Sequence, residues 1–119
     1  MRFERPRLLD RRGHARVDYL TFPLLLLISE GLSGPARTAS RSFGVLIALA
    51  VTTTRTPLGL LRIVPFRWHG RLELSSVFVQ LALPWLAGFA HKKRERNFWL
   101  AFSAYNFLVW LRTDWAAPE

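Results

Sequence analysis

Residues 70–90 read GRLELSSVFVQLALPWLAGFA, and after Glu73 no Asp, Glu, Lys or Arg follows until Lys92. A helix on the surface of a water-soluble bundle keeps a polar stripe along its outer face. Between Glu73 and His91 only Ser75, Ser76 and Gln80 could build one. Residues 97–111 (NFWLAFSAYNFLVWL) are likewise without an ionisable acid or base other than Tyr105. A transmembrane helix needs about 20 such residues, and both stretches fit that requirement better than they fit the surface of a soluble bundle.

Outward from this stretch, three more apolar segments complete the pattern. They are residues 17–32 (VDYLTFPLLLLISEGL), 39–56 (ASRSFGVLIALAVTTTRT) and 96–115 (RNFWLAFSAYNFLVWLRTDW). The expected fold is therefore all-α, an integral membrane four-helix bundle. Trp68, Trp85, Trp99, Trp110 and Trp115 fall near segment ends, where an indole can sit at headgroup level. Pro23 and Pro84 interrupt helical segments, and Pro84 frees the carbonyl of Gln80 and predicts a bend there.

The 119 residues suffice for one domain. They carry 17 Lys+Arg against 8 Asp+Glu, a formal charge of +9. A nucleic-acid module would spread its arginines over one helix face; here they collect in connections, which argues against a nucleic-acid partner. With no cysteine, disulfides, thiolate metal sites and Cys nucleophiles are excluded. The first sixteen residues are too long and basic for a secretory signal, so the first helix is expected to stay uncleaved. Eleven of the 17 basic residues fall on the side of the N-terminal arm, the 55–71 connection and the C-terminus. The positive-inside rule then puts both termini in the cytoplasm, with the bacterial inner membrane as the location.

The sequence repeats itself. His14-Ala15-Arg16-Val17-Asp18 recurs 55 residues later as His69-Gly70-Arg71-Leu72-Glu73, each followed by an apolar helix. Arg55-Thr56 and Arg112-Thr113 close the second and fourth segments alike. This predicts two tandem helical hairpins in the same orientation. The organisation expected is a basic cytoplasmic arm (1–13), a first hairpin (14–56), an interfacial connection (57–68) and a second hairpin (69–119). Within the connection, Pro57 and Pro65 bracket an apolar run. Arg62 and Arg67 there, and Lys92, Lys93 and Arg94 in the other basic cluster, are candidates for lipid-phosphate contacts.

The run Ile63-Val64-Pro65-Phe66-Arg67-Trp68-His69-Gly70, then Glu73, then Leu83-Pro84-Trp85-Leu86-Ala87-Gly88-Phe89 resembles the SPW-repeat family of bacterial membrane proteins. That family has a His-x-x-x-acid entry and a Ser-Pro-Trp followed by Gly-Phe at the far end of the helix. Pro84, Trp85, Gly88 and Phe89 carry the repeat motif. Leu83 stands in place of the serine, and Ser29-Glu30 stands where the first repeat would have Pro-Trp. The resemblance implies a membrane location and a repeat architecture. It brings no reaction, catalytic residue or cofactor with it.

Candidate chemistry lies in His14/Asp18 and His69/Glu73. Each is an i,i+4 pair on one helix face, and symmetry would bring both to the same depth. Buried ionisable groups in a membrane face the bundle interior and pair with one another, so each acid is expected to bond its own His or basic groups of the other repeat. Such groups could instead relay protons, or hold a metal with two His and two carboxylates. His91 reads as a solvated loop residue, Glu30 as a partner for Arg37 or Arg41, and Asp114 as one for the 55–71 connection. No Gly-rich phosphate loop, His-Glu-x-x-His or Gly-x-Ser-x-Gly is present. The expected function is a structural or accessory membrane protein without enzymatic activity or cofactor. Its partners would be the bilayer, anionic headgroups and a membrane complex or second copy of itself. Two rivals stay open: an oligomeric proton or ion channel or transporter, and a metal- or cofactor-binding membrane subunit.

Overall fold

The chain forms four helices: α1 (Arg11–Ser29), α2 (Gly34–Thr53), α3 (Phe66–Leu86) and α4 (Lys93–Leu111). This computed structural model describes residues 7–118; the first part of the expected arm, residues 1–6, lies outside the described residues. Every helix begins and ends several residues earlier than the apolar pattern suggests. For the starts of the first three helices the reason is local. The Asp10 carboxylate accepts from the Gly13 amide at 2.8 Å and starts α1 ahead of its apolar run. Pro35 occupies the first turn of α2, and Pro65 immediately precedes α3. In consequence His14 and His69, expected at the helix entries, are each the fourth residue of their helix.

α3 ends at a left-handed Gly88 (φ 79°). The next amide, Phe89 N–H, reaches back to the Pro84 carbonyl at 2.8 Å, and the Phe89 ring is fully buried. This is the helix-ending arrangement in which a glycine turns the chain and the following apolar residue packs back on the last turn. It accounts for Gly88-Phe89 in purely structural terms.

α1 packs on α2 and α3 on α4, giving two hairpins. Their tips meet: the Arg94 guanidinium donates to the Gly31 carbonyl at 2.6 Å, and the Ser33 hydroxyl to Glu95 at 3.3 Å. At the opposite end two isolated parallel bridges, Leu9 with Thr113 and Val64 with Thr54, join the entry of one hairpin to the exit of the other. α1 and α3 therefore start at the same end and run the same way. The bridges also correct a landmark. Thr54, not Thr56, is the counterpart of Thr113, because each of these two pairs with the residue five before a cluster histidine.

The apolar core, Leu25, Ala36, Phe89, Trp99 and Phe102, sits toward the tips. The molecule is flat, 43 × 40 × 19 Å. Among the described residues no helix is long and apolar enough to cross a membrane. Each helix carries arginines in its opening turns: Arg11, Arg12 and Arg16 in α1, Arg37 and Arg41 in α2, Arg67 and Arg71 in α3, Arg94 and Arg96 in α4. The all-α, four-helix architecture is observed; the integral-membrane part of the expectation gains no support from helix length and hydropathy.

Candidate functional site

One turn inside the bridged end, α1 contributes His14 and Asp18 and α3 contributes His69 and Glu73. The i,i+4 spacing puts both members of each pair on the face turned toward the other hairpin. The four side chains converge. His14 Nε2 lies 3.1 Å from Glu73 Oε2 and 3.2 Å from Asp18 Oδ2. His69 Nε2 lies 3.1 Å from Asp18 Oδ2 and 3.9 Å from Glu73 Oε2. The imidazoles meet edge to face at 5.1 Å. Each acid thus faces the histidines of both repeats, and Glu73 is nearer to the histidine of the other repeat than to its own. Among the described residues, the ion pairs of Asp18 and Glu73 are to the two histidines, not to the basic side chains of the other repeat that the sequence offered as an alternative.

The threonines set the histidine tautomers. Thr113 Oγ1 donates to the Val109 carbonyl at 2.7 Å, and Thr54 Oγ1 to the Ala50 carbonyl at 2.5 Å. A hydroxyl has one hydrogen, so each oxygen can only accept from the imidazole it touches. His14 Nδ1 donates to Thr113 at 2.9 Å, and His69 Nδ1 to Thr54 at 2.7 Å. Both bonds cross between hairpins. With both Nδ1 atoms holding hydrogens, both Nε2 atoms point into the carboxylates.

Aromatic rings close the outside of the cluster. The Trp115 ring lies 4.7 Å from His14 and 4.8 Å from Phe66, and stacks on His69 at 6.0 Å. Gly70 makes room for it: a Cβ there would stand 2.6 Å from the indole. Thr54, Phe66, Gly70 and Trp115 were not assigned to the site from the sequence. Thr113 was noted there only as a landmark of the repeat, and Trp115 only as a candidate interface ring.

On the inner side, a cleft of about 450 Å³ reaches Asp18, His69 and Glu73. Its wall is mostly apolar, with Leu46 and Leu49 from α2 and Leu72 from α3. Gln80 and Asn106, bonded to each other at 3.1 Å, line it deeper in the bundle.

The other candidate residues lie elsewhere. Pro84, Trp85, Gly88 and Phe89 belong to the tip end. Arg62 and Arg67 are exposed at the cluster end, whereas Lys92, Lys93 and Arg94 are at the tips, with Arg94 engaged by Gly31 and Glu95. Glu30 takes a hydrogen bond from Arg41 at 2.8 Å, which holds its carboxyl below the usual range. Asp114 meets Arg7 at 3.7 Å rather than the 55–71 connection. His91 is exposed.

Neither a family model nor a curated protein nor a solved structure matches the chain.

Proposed function

We propose that this chain is a multi-pass membrane protein with a structural or accessory role, its two hairpins pinned together at one membrane face by the His14–Asp18–His69–Glu73 cluster. The observation that carries this reading is the exterior. Leu20 is 73% exposed, Leu27 70%, Phe78 65%, Leu49 57% and Leu108 53%. The few polar side chains of α3 do not relieve it: Gln80 is buried against Asn106, and the Ser75 and Ser76 hydroxyls bond back to the carbonyls of Arg71 and Glu73. In water, so many exposed large apolar side chains on a flat molecule of this size would favour association.

The helices are 19–21 residues long, about 28–32 Å, but none of the described helices is apolar enough along that length to cross a membrane, so the reading rests on the exposed apolar side chains and not on hydropathy. The arginines in the opening turns suit headgroup level, where long basic side chains can reach phosphates while their stems stay in the apolar layer. The basic-residue asymmetry supports a bacterial inner membrane with both termini cytoplasmic. The exposed belt offers contact to lipid, to a second copy or to another membrane protein.

Fractionation tests the reading. The full chain expressed in bacteria is expected in the membrane pellet and retained there after an alkaline carbonate wash. Recovery in the soluble fraction, or release by the wash, contradicts it.

A further inference from the structure

The geometry points to a structural binding site for a divalent transition cation of the zinc type, held by His14 Nε2, His69 Nε2, Asp18 Oδ2 and Glu73 Oε2 between the two hairpins. His14, Asp18 and His69 alone bring one ligand atom each to within 4.8 Å of one another, all three buried. Glu73 supplies the fourth donor, 3.1 Å from His14 Nε2.

Four observations carry the assignment. The first is direction. The threonine hydroxyls consume the Nδ1 hydrogens, so a neutral imidazole at either position presents its Nε2 lone pair to the carboxylates. Lone pairs facing carboxylate oxygens repel unless a proton or a metal cation lies between them, and a bound ion would take the place of the Nε2 protons.

The second is spacing. A tetrahedral ion with ligand bonds of about 2.0–2.2 Å holds its donors about 3.3–3.6 Å apart. The four His–carboxylate separations here are 3.1, 3.1, 3.2 and 3.9 Å, three just short of that range and one just beyond it, so the donors need to shift by only a few tenths of an ångström to take an ion.

The third is unmet bonding. His14 Nε2 and Glu73 Oε2 are buried and make no hydrogen bond, although they are 3.1 Å apart. The ring nitrogen is almost equally far from the two acids, 3.1 Å from Glu73 and 3.2 Å from Asp18, which suits a shared central ion. Such orphaned polar atoms in an interior call for an explanation, and an ion provides it.

The fourth is support. Metal-bound histidines donate their other ring N–H to an oxygen that fixes their orientation, and Thr113 and Thr54 do this for both rings.

Charge and access agree. With both imidazoles deprotonated at Nε2, as metal binding requires, the four groups carry −2, which a divalent cation neutralises inside a buried site. Nitrogen ligands and a donor count of four favour zinc over magnesium or calcium, which take six or more oxygens. The cleft reaching Asp18, His69 and Glu73 provides an entry path. Because all four ligands come from the protein, the site is closed in the manner of structural zinc centres. The inference does not depend on where the chain resides, so fractionation and metal binding can fail separately.

The test uses the purified full chain, stripped with a chelator and dialysed. Adding Co²⁺ is expected to give the intense visible bands of a tetrahedral complex, saturating at one ion per chain and displaced by one equivalent of Zn²⁺. Zn²⁺ should also raise the melting temperature. Asp18→Asn with His69→Gln should abolish the bands, and Glu30→Gln, an exposed acid outside the cluster, should keep them. Wild-type protein that keeps its helical circular dichroism yet gives no tetrahedral Co²⁺ spectrum and no Zn²⁺-dependent shift in melting overturns the site, as does an unchanged Co²⁺ spectrum in the double variant.

Discussion

His14 stands 3.1 Å from Glu73, a residue of the other hairpin, whereas His69, one turn before Glu73 on the same helix, is 3.9 Å away. The histidine hydrogen bonds to Thr113 and Thr54 also cross between hairpins. The cluster therefore works as an inter-hairpin joint rather than as two separate helix-entry pairs, and perturbing one member should loosen the other half of the molecule.

Glu73 tests the joint. Glu73→Leu replaces a carboxylate facing two histidines with an apolar group and leaves buried ring nitrogens unmet, at the upper end of about 1–3 kcal/mol. Glu73→Gln keeps a hydrogen-bonding group there and should cost less, toward the lower end of that range. Thermal melts followed by circular dichroism should rank wild type above Gln and Gln above Leu. Proton flux in reconstituted vesicles should be equally low for wild type and Glu73→Gln. Wild-type vesicles that conduct protons, with conduction lost in a stably folded Glu73→Gln protein, would favour the transport rival.

The two threonines should behave as equivalents. Thr54→Val and Thr113→Val each strip the acceptor from a buried imidazole N–H, at a cost of about 1–3 kcal/mol, while the Thr→Ser changes should be mild. A double-mutant cycle should find coupling between Thr113 and His14 and between Thr54 and His69. Equal coupling in the swapped combinations, Thr113 with His69 and Thr54 with His14, would refute the pairing.

Gly70 should tolerate no side chain. Gly70→Ala drives a methyl to 2.6 Å from the Trp115 ring, and overpacking of this kind costs about 1–3 kcal/mol. Gly31→Ala is the control, since its Cβ would meet only the Ile28 carbonyl at 3.5 Å. Melting temperatures that fall equally for both would show that the Trp115 packing is not as described.

Both chain ends should lie on one side of the membrane. The absence of cysteine permits single-cysteine labelling of intact cells: Ala116→Cys should resist an impermeant maleimide until the cells are opened, and His91→Cys at the tips should react directly. The opposite pattern would invert the sidedness drawn from the basic residues.

Much of the joint was legible in the sequence. The His-x-x-x-acid recurrence named all four of its ionisable groups, because i,i+4 spacing converts directly into a shared helix face. The threonines were harder. Thr52, Thr53, Thr54 and Thr56 are nearly consecutive, and which hydroxyl faces His69 depends on where α2 ends. Thr54, the residue after the last helical turn, is the one that still bonds back to Ala50 while reaching the other hairpin. Cross-pairing was hidden for a similar reason, since periodicity reports faces and not which faces meet. Helix starts were missed because the capping residues Asp10, Pro35 and Pro65 lie ahead of the apolar runs that pattern reading follows.

The apolar belt is the central claim, and collision accessibility of nitroxide side chains in liposomes tests it most directly. Single cysteines replacing Leu20, Leu49, Phe78 and Leu108, each spin-labelled, should collide more with oxygen, which concentrates in hydrocarbon, than with a water-soluble nickel chelate. Labels at Arg55 and His91, beyond the helix ends, should show the reverse. Nickel accessibility at the four belt positions as high as at Arg55 and His91 would contradict the membrane-embedded account.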